Sequence, residues 1–247
     1  MMSALQSNTG EWPAEGEIIP ISDVDIRVNG AAHPFHLEEA GRAQENWEKE
    51  IAANPHLFDG RMVLQRALRI EDGQIRGEGH VVPYSTFLWW RKTREEGAFH
   101  LFAMPAILSS DGALILVRMG AHTANPGRVY SPSGSLEPDD VIEGRCDIAG
   151  NIRREALEET GIDLALGVAE PGYHLLHMAR AVTVIRIYHC PETAEALVAR
   201  VAAHIAADPE PEIDEAIAVF GPDPAAYNYP PFIPPILTWL FGERRLR

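Results

Sequence analysis

The apolar positions of the chain follow two periods. Between residues 36 and 53, Leu37, Ala40, Ala43, Trp47 and Ile51 recur every three or four residues, which predicts an amphipathic helix. Asn54-Pro55 ends it, because a residue ahead of proline is pushed out of helical geometry. Residues 61–70 and 74–82 have the look of strands on either side of an Asp72-Gly73 hairpin turn. A second helix is expected over 85–96, opened by Ser85 and closed near Gly97. From residue 99 the texture changes. Apolar runs at 99–108 and 113–119 are joined by Ser-Ser-Asp-Gly, a strand–turn–strand pattern. A long loop (120–144), a helix (148–160) ended by Gly161, an alternating β-branched strand (181–190), an alanine-rich helix (193–207) and a strand near 216–220 follow. The first 35 residues mix turn formers with short strands, and a proline-rich stretch leads to a short helix at 235–241.

Strands and helices that alternate through the last 150 residues predict a layered α/β or α+β core. The expected division lies near residue 98, between a smaller N-terminal α+β subdomain (1–98) and a domain of residues 99–247. The chain of 247 residues is 46% hydrophobic, enough for a sizeable core. Its 21 Lys and Arg against 36 Asp and Glu leave a formal charge of −15, which speaks against a nucleic-acid surface. A phosphorylated small molecule stays open where a metal offsets the local charge. Two cysteines, Cys146 and Cys190, make no disulfide framework, and a reducing cytoplasm is the expected location. Residues 1–18 lack the basic and apolar regions of a secretory signal. The uncharged stretch 224–242 is long enough to span a bilayer, but Pro224, Pro230, Pro231, Pro234 and Pro235 rule out a single spanning helix, so no membrane segment is expected.

One segment carries chemistry: Arg154-Glu155-Ala156-Leu157-Glu158-Glu159-Thr160-Gly161-Ile162. On a helix Glu155 shares a face with Glu158 and Glu159, three and four residues on. Carboxylates so close raise one another's pKa unless a cation sits between them, and hard oxygen donors select Mg²⁺, Mn²⁺ or Ca²⁺ over Zn²⁺. Arg154, four residues before Glu158, can hold that carboxylate, and Gly161 supplies a left-handed exit from the helix. A glutamate-rich helix is more often a solvated face, but the full pattern of residue types is far rarer by chance.

These residues resemble the second half of the Nudix box, G-x5-E-x7-R-E-U-x-E-E-x-G-U with U aliphatic, the signature of the Nudix hydrolases. Ser131-Pro132-Ser133-Gly134-Ser135-Leu136-Glu137-Pro138 is similar to the family's lead-in, with Ser133 in place of a glycine. Counted from Gly134, the box acid falls on Asp140, with Glu137 and Glu143 as rivals, and about six residues are inserted before Arg154. The resemblance implies a Nudix α/β/α sandwich with a mixed sheet and hydrolysis of a nucleoside diphosphate linked to another group, with Mg²⁺ or Mn²⁺ as cofactor. It implies that Glu158 and Glu159 ligate metal, that Glu155 ligates a further metal or acts as base, that Gly134 offers its carbonyl, and that Arg154 orients a carboxylate. A later carboxylate is expected from Glu212, Asp214 or Glu215.

Arg118, Arg128, Arg180 and Arg186 are candidates for clamping phosphate, against the ordinary reading of surface arginine. The pairs His33-x-x-His36 and His174-x-x-His177 read as structural in the absence of a third ligand. Trp89-Trp90 reads as core packing ahead of a base-stacking platform. The segment Asn54-Pro55-His56-Leu57-Phe58-Asp59-Gly60-Arg61 and the following Tyr84-Ser85-Thr86-Phe87-Leu88 are similar to animal Nudix hydrolases that act on UDP-glucose and UDP-galactose. That likeness implies a nucleoside diphosphate sugar cleaved to UMP and sugar 1-phosphate. ADP-ribose, a dinucleotide or coenzyme A stay open as substrates, as does a Nudix-fold module that senses a nucleotide without cleaving it. The N-terminal 98 residues could cap the pocket or form a homodimer interface.

Overall fold

The computed structural model describes residues 12–243. Residues 1–11, most of the segment read as lacking a secretion signal, lie outside the described residues. The chain opens with β1 (Ile18–Ile21), β2 (Asp23–Asn29), α1 (Pro34–Ala53), β3 (Arg61–Glu71), β4 (Gln74–Pro83) and α2 (Tyr84–Thr93). It continues through β5 (His100–Leu108), β6 (Leu114–Met119), β7 (Val129–Tyr130), β8 (Val141–Ile142), β9 (Arg145–Cys146) and α3 (Ile148–Thr160). The last elements are β10 (Val168–Ala169), β11 (Tyr173–Met178), β12 (Ala181–His189), α4 (Ala194–Ala207), β13 (Ile213–Val219) and α5 (Ile233–Thr238). No helix among the described residues is long and apolar enough to cross a membrane.

Local chemistry sets the helix ends. Helix α1 starts at Pro34, where the missing N–H costs nothing, and the His33 ring accepts the N–H of Phe35. Helix α2 stops at Thr93, short of the expected Gly97, because Arg94 takes a left-handed conformation (φ 55°) and its N–H returns to the Trp90 carbonyl. Helix α3 spans the expected residues, with Asp147 accepting the Gly150 N–H at one end and Gly161 at φ 68° closing the other. The terminal helix begins earlier than expected, at Ile233, with its prolines in the first turn.

Two mixed sheets define an α/β fold. The larger runs β1-β11-β12-β5-β6-β13, with β5 and β12 parallel; the smaller runs β3-β4-β2-β9-β8, with β2 and β4 parallel. A bulge between Gln65 and Ala67 on β3 keeps the apolar pattern in register with both cores. Before it Val63 faces the main core while Met62 and Leu64 pack with Phe87 and Trp90; after it Leu68 and Ile70 face the main core.

Strand pairing crosses residue 98 in both directions. β1 adds an edge to the larger sheet along β11, and the β8–β9 hairpin from after the boundary pairs with β2. The main core is continuous as well, holding Ile26 and Ile75 together with Leu101 and Ile115.

One irregularity positions the site. The β5–β6 ladder pairs only Ile107 with Ile115 and Leu108 with Leu114, beyond Pro105, which has no N–H to give. The parted strands admit the loop 131–137, where Ser135 bridges Phe102 and the Leu136 carbonyl accepts the Val63 N–H at 2.7 Å.

Candidate active site

Helix α3 and the loop 131–137 bring the box-like residues together. A Cβ added at Gly134 would lie 2.3–2.4 Å from the carboxylate of Glu155, so the loop backbone lies directly against that side chain and only glycine fits. The acid that anchors the helix is Asp140. It is buried, and it accepts from Asn151 Nδ2 (3.0 Å), the Glu137 N–H (2.9 Å) and the Arg154 guanidinium (3.1–3.3 Å). Arg154 reaches forward from this anchor to Glu155 (2.7 Å) and Glu158 (2.8 Å). Of the three acids left open by spacing, Asp140 therefore meets Arg154. Glu143 lies at the β8–β9 turn in a left-handed conformation, and Glu137 lines the cavity beside the helix.

The inserted residues explain the broken spacing. They form the β8–β9 hairpin, whose turn at Glu143-Gly144 has φ 50° and 76°. The Asp147 N–H donates to the Asp140 carbonyl at 2.8 Å across its base. The hairpin thus leaves the chain and returns to one point, so the acid and the helix start stay adjacent despite the insertion. Its far end is tied to β2 by the Val28 N–H to the Gly144 carbonyl (2.8 Å) and by an Arg145–Asp25 ion pair.

Charge is compressed at the helix face. Burial pushes the Glu155 carboxyl up to about 7, against the pull of Arg154 and with Glu158 and Asp140 adding to the rise. Glu159 is also raised well above the usual carboxylate range, first by burial and then by Glu155 and Glu212, and its Oε2 is buried without a hydrogen-bond partner. A buried orphan acceptor among carboxylates is what a bound cation would satisfy. Glu158 is the open member, its side chain 59% exposed. Among the described residues no three acidic, histidine or cysteine groups are already gathered as a closed cage. The Arg154 guanidinium sits between Glu155 and Glu158 instead. All the donors at hand are oxygens, Glu155, Glu158, Glu159 and the Gly134 carbonyl among them, which fits a hard divalent cation. A cavity of about 490 Å³ opens over these groups, bounded further by Arg61, Tyr130 and Glu212. Glu212 is thus the later carboxylate that the fold brings here, whereas Glu215 pairs with Arg118 and Asp214 is exposed.

A second chamber, about 320 Å³, shares the wall of Ser133, Gly134 and Ser135. Its lining is aromatic and cationic: Phe87, His100, Phe102, Arg91, Arg94 and Arg128 are part of it. His100 and Phe102, two residues apart on one face of β5, are stacked at 5.2 Å. Burial and the two nearby arginines hold His100 neutral, with its pKa down at about 3.

Of the arginines expected to clamp phosphate, Arg128 lines this chamber and the other three do not. Arg118 is paired with Glu215 at 2.7 Å, Arg180 with Glu96 at 3.1 Å, and Arg186 lies over Tyr173 and Tyr188 on the larger sheet. The positions that carry no expectation from the sequence are Arg91, Arg94 and Asn151; the i,i+3 pair Arg91 and Arg94 at the end of a helix was the available signal. His33 caps α1 and His177 bonds the Pro13 carbonyl, and among the described residues neither His-x-x-His pair belongs to a group of three potential metal ligands. Trp90 is fully buried in the smaller core and Trp89 donates to Glu39.

No family model matches the chain, and no curated protein matches it. Among solved structures it is similar to the MutT protein of Methanosarcina mazei Go1 at 16% identity and a TM-score of 0.40, over 60% of this chain and 96% of that one. A Nudix hydrolase from M. smegmatis, RenU, is 13% identical with a TM-score of 0.36, over 59% and 83% of the two chains. A bifunctional NMN adenylyltransferase/ADP-ribose pyrophosphatase from Francisella tularensis, solved with AMP and a Mn ion, is 18% identical with a TM-score of 0.32, over 53% and 36%. The functional reading therefore rests on the residues and their geometry.

Proposed function

We propose that the chain is a Nudix-type hydrolase that cleaves the pyrophosphate of a nucleoside diphosphate joined to another group. One observation carries this reading: the Asp140–Arg154 anchor presents Glu155, Glu158 and Glu159 on one helix face against the backbone of Gly134. Glu155, Glu158, Glu159 and the Gly134 carbonyl would hold Mg²⁺ or Mn²⁺, which would neutralise the pyrophosphate and lower the pKa of an attacking water. With a cation held there, Arg154 would keep its bonds to Asp140 while Glu155 and Glu158 would be free to turn to the metal. Glu155 would ligate a further metal or act as base toward the attacking water. Tyr130, kept protonated by burial, closes the floor between the chambers.

The best-supported substrate is a nucleoside diphosphate sugar such as UDP-glucose, giving UMP and sugar 1-phosphate. The support is the similarity of residues 54–61 and 84–88 to sugar-nucleotide hydrolases, together with their position: Phe58, Gly60 and Arg61 border the acidic cavity, and Tyr84 borders both chambers. Release of nucleoside monophosphate from UDP-glucose, ADP-ribose, coenzyme A and diadenosine polyphosphates, with Mg²⁺, Mn²⁺ or EDTA, tests it. Metal-dependent cleavage led by UDP-glucose is the expected result. A different preferred compound would keep the reaction and discard the sugar nucleotide. No cleavage, with a nucleotide still raising the melting temperature, would favour a sensor, for which the ion pairs of Arg154 with Glu155 and Glu158 would be a resting state.

A further inference from the structure

The second chamber holds a cluster of arginines with no acidic partner among the described residues. Nine of the sixteen arginines among the described residues sit in ion pairs. Arg91, Arg94 and Arg128 are three of the seven described arginines that do not, and all three line the chamber. Their partners are neutral: Arg91 donates to Asn125 Oδ1 (3.2 Å), Arg94 to the Ala179 carbonyl (3.5 Å), and Arg128 to Asn228 Oδ1 (2.9 Å) and the Tyr229 carbonyl (3.2 Å). Arg94 also lies over the Trp90 ring at 4.7 Å and Arg91 over Phe87 at 5.8 Å, so both heads are steered by packing. Burial and the neighbouring Arg91 lower the pKa of Arg94, the mark of like charges held together. Arg61 and Arg154, on the other side of the Gly134 wall, line the acidic cavity instead. The stacked His100–Phe102 surface beside the arginines suits a ring, and the unpaired guanidinium groups suit an oxyanion attached to it.

We propose that the preferred substrate carries an oxyanion outside its pyrophosphate, a carboxylate or a further phosphate, and that Arg91 and Arg94 receive it. This rests on the hydrolase reading above and narrows its substrate class. A uronate-bearing sugar nucleotide satisfies it through a carboxylate, and a nucleotide with an added ribose phosphate satisfies it through a phosphate.

Matched pairs test it: UDP-glucuronate against UDP-glucose, and coenzyme A against dephospho-coenzyme A, as kcat/KM with Mg²⁺ on the full chain. At least a tenfold preference for the anionic member of one pair is expected, and the pair that shows it names the anion. Arg94→Gln and Arg91→Gln should each bring that ratio toward one, and Arg94→Lys should restore most of it, with thermal melts confirming folding. Equal rates within both wild-type pairs, or a ratio unmoved by both glutamine variants, would overturn the proposal. So would an equal loss on both members, which would assign these arginines to the pyrophosphate. If neither member of either pair is cleaved, the ADP-ribose and diadenosine polyphosphate arms of the panel above decide the hydrolase reading, which falls only if they too are left intact. Calorimetric binding of the same pairs then decides the chamber: tighter binding of the anionic member, lost in Arg94→Gln, supports the proposal, and equal binding overturns it.

Discussion

The two chambers on either side of Gly134 are opposite in charge and alike in predicament. In one, Glu155 and Glu159 are buried among other carboxylates with their pKa values driven up; in the other, Arg91 and Arg94 share a small aromatic cavity and depress His100. Neither set is neutralised by its own neighbours. Arg154 offsets only part of the acidic face, and no carboxylate among the described residues pairs with the chamber's arginines. Groups that repel one another persist in a fold when the rest of the structure over-determines them, and they mark places where a ligand supplies the missing charge. A cation on one side and an anion-bearing ring on the other would fit the substrate proposed above, with Ser133, Gly134 and Ser135 lining both cavities.

The largest expected effect removes the acidic half of the contrast. Glu159→Gln should lower turnover by roughly a thousandfold, the loss of several kcal/mol of transition-state stabilisation from the cation site. The same variant should raise the melting temperature of the metal-free protein, since it removes a buried carboxyl crowded by Glu155 and Glu212. Loss of both activity and stability would contradict the description of that site as strained.

Next comes the anchor. Asp140→Asn leaves Arg154 without its charged partner and should cost about 2–3 kcal/mol in urea unfolding, allowing for the partial exposure of Arg154. It should also reduce activity by roughly 10–100-fold, the usual cost of freeing a group that orients a metal ligand.

The pH dependence of stability separates the two sides of the molecule. A carboxyl whose pKa is raised on folding binds its proton more tightly in the native state. Its contribution therefore favours the fold below about pH 4.5, the usual glutamate value, and turns against it as pH rises through about 7 for Glu155. The melting temperature in EDTA should fall between pH 5 and 8, and Mg²⁺ should flatten that decline. Histidine gives the opposite limb. His33, buried and lowered to about 4 by burial and His80, contributes stability that is complete above pH 6.5 and lost as pH falls toward 4. Asparagine at position 33 should keep the cap on the Phe35 N–H and weaken the acid limb while leaving the alkaline one unchanged.

The smallest effect concerns the helix end. Gly161→Ala forces a Cβ into a left-handed position and to within 2.9 Å of the His204 ring, which bonds the Glu158 carbonyl at 2.8 Å. A loss of about 1–2 kcal/mol is expected from chemical denaturation.

What could be read from the chain follows from where its information lies. Helix α3 was legible to the residue because its cap, its acidic face and its glycine stop are local. Asp140 stayed one of three candidates because its role depends on a hairpin whose strands are two residues each, too short for periodicity to register. Strand β11, Tyr173–Met178, was missed since its histidines interrupt the alternation; pairing with β1 and β12 makes it a strand. The division at residue 98 followed a change of texture, yet β1 and the β8–β9 hairpin pair across it, a long-range choice that no window of sequence contains. The arginine chamber was the least legible of all. It draws Arg91 and Arg94 from a helix end, His100 and Phe102 from a strand, Arg128 from a loop and Phe232 from the proline-rich stretch, and each alone reads as ordinary surface or core.

The central claim is that Glu155, Glu158 and Glu159 form a cation site that hydrolyses a nucleoside diphosphate linkage. Its most direct test is nucleoside monophosphate release from UDP-glucose and UDP-glucuronate by the wild-type chain and Glu159→Gln, with Mg²⁺ and with EDTA. The account predicts cleavage by the wild type with Mg²⁺, none in EDTA, and a residual rate near one-thousandth in the variant. Cleavage that persists in EDTA, or near-normal activity of Glu159→Gln, would contradict it.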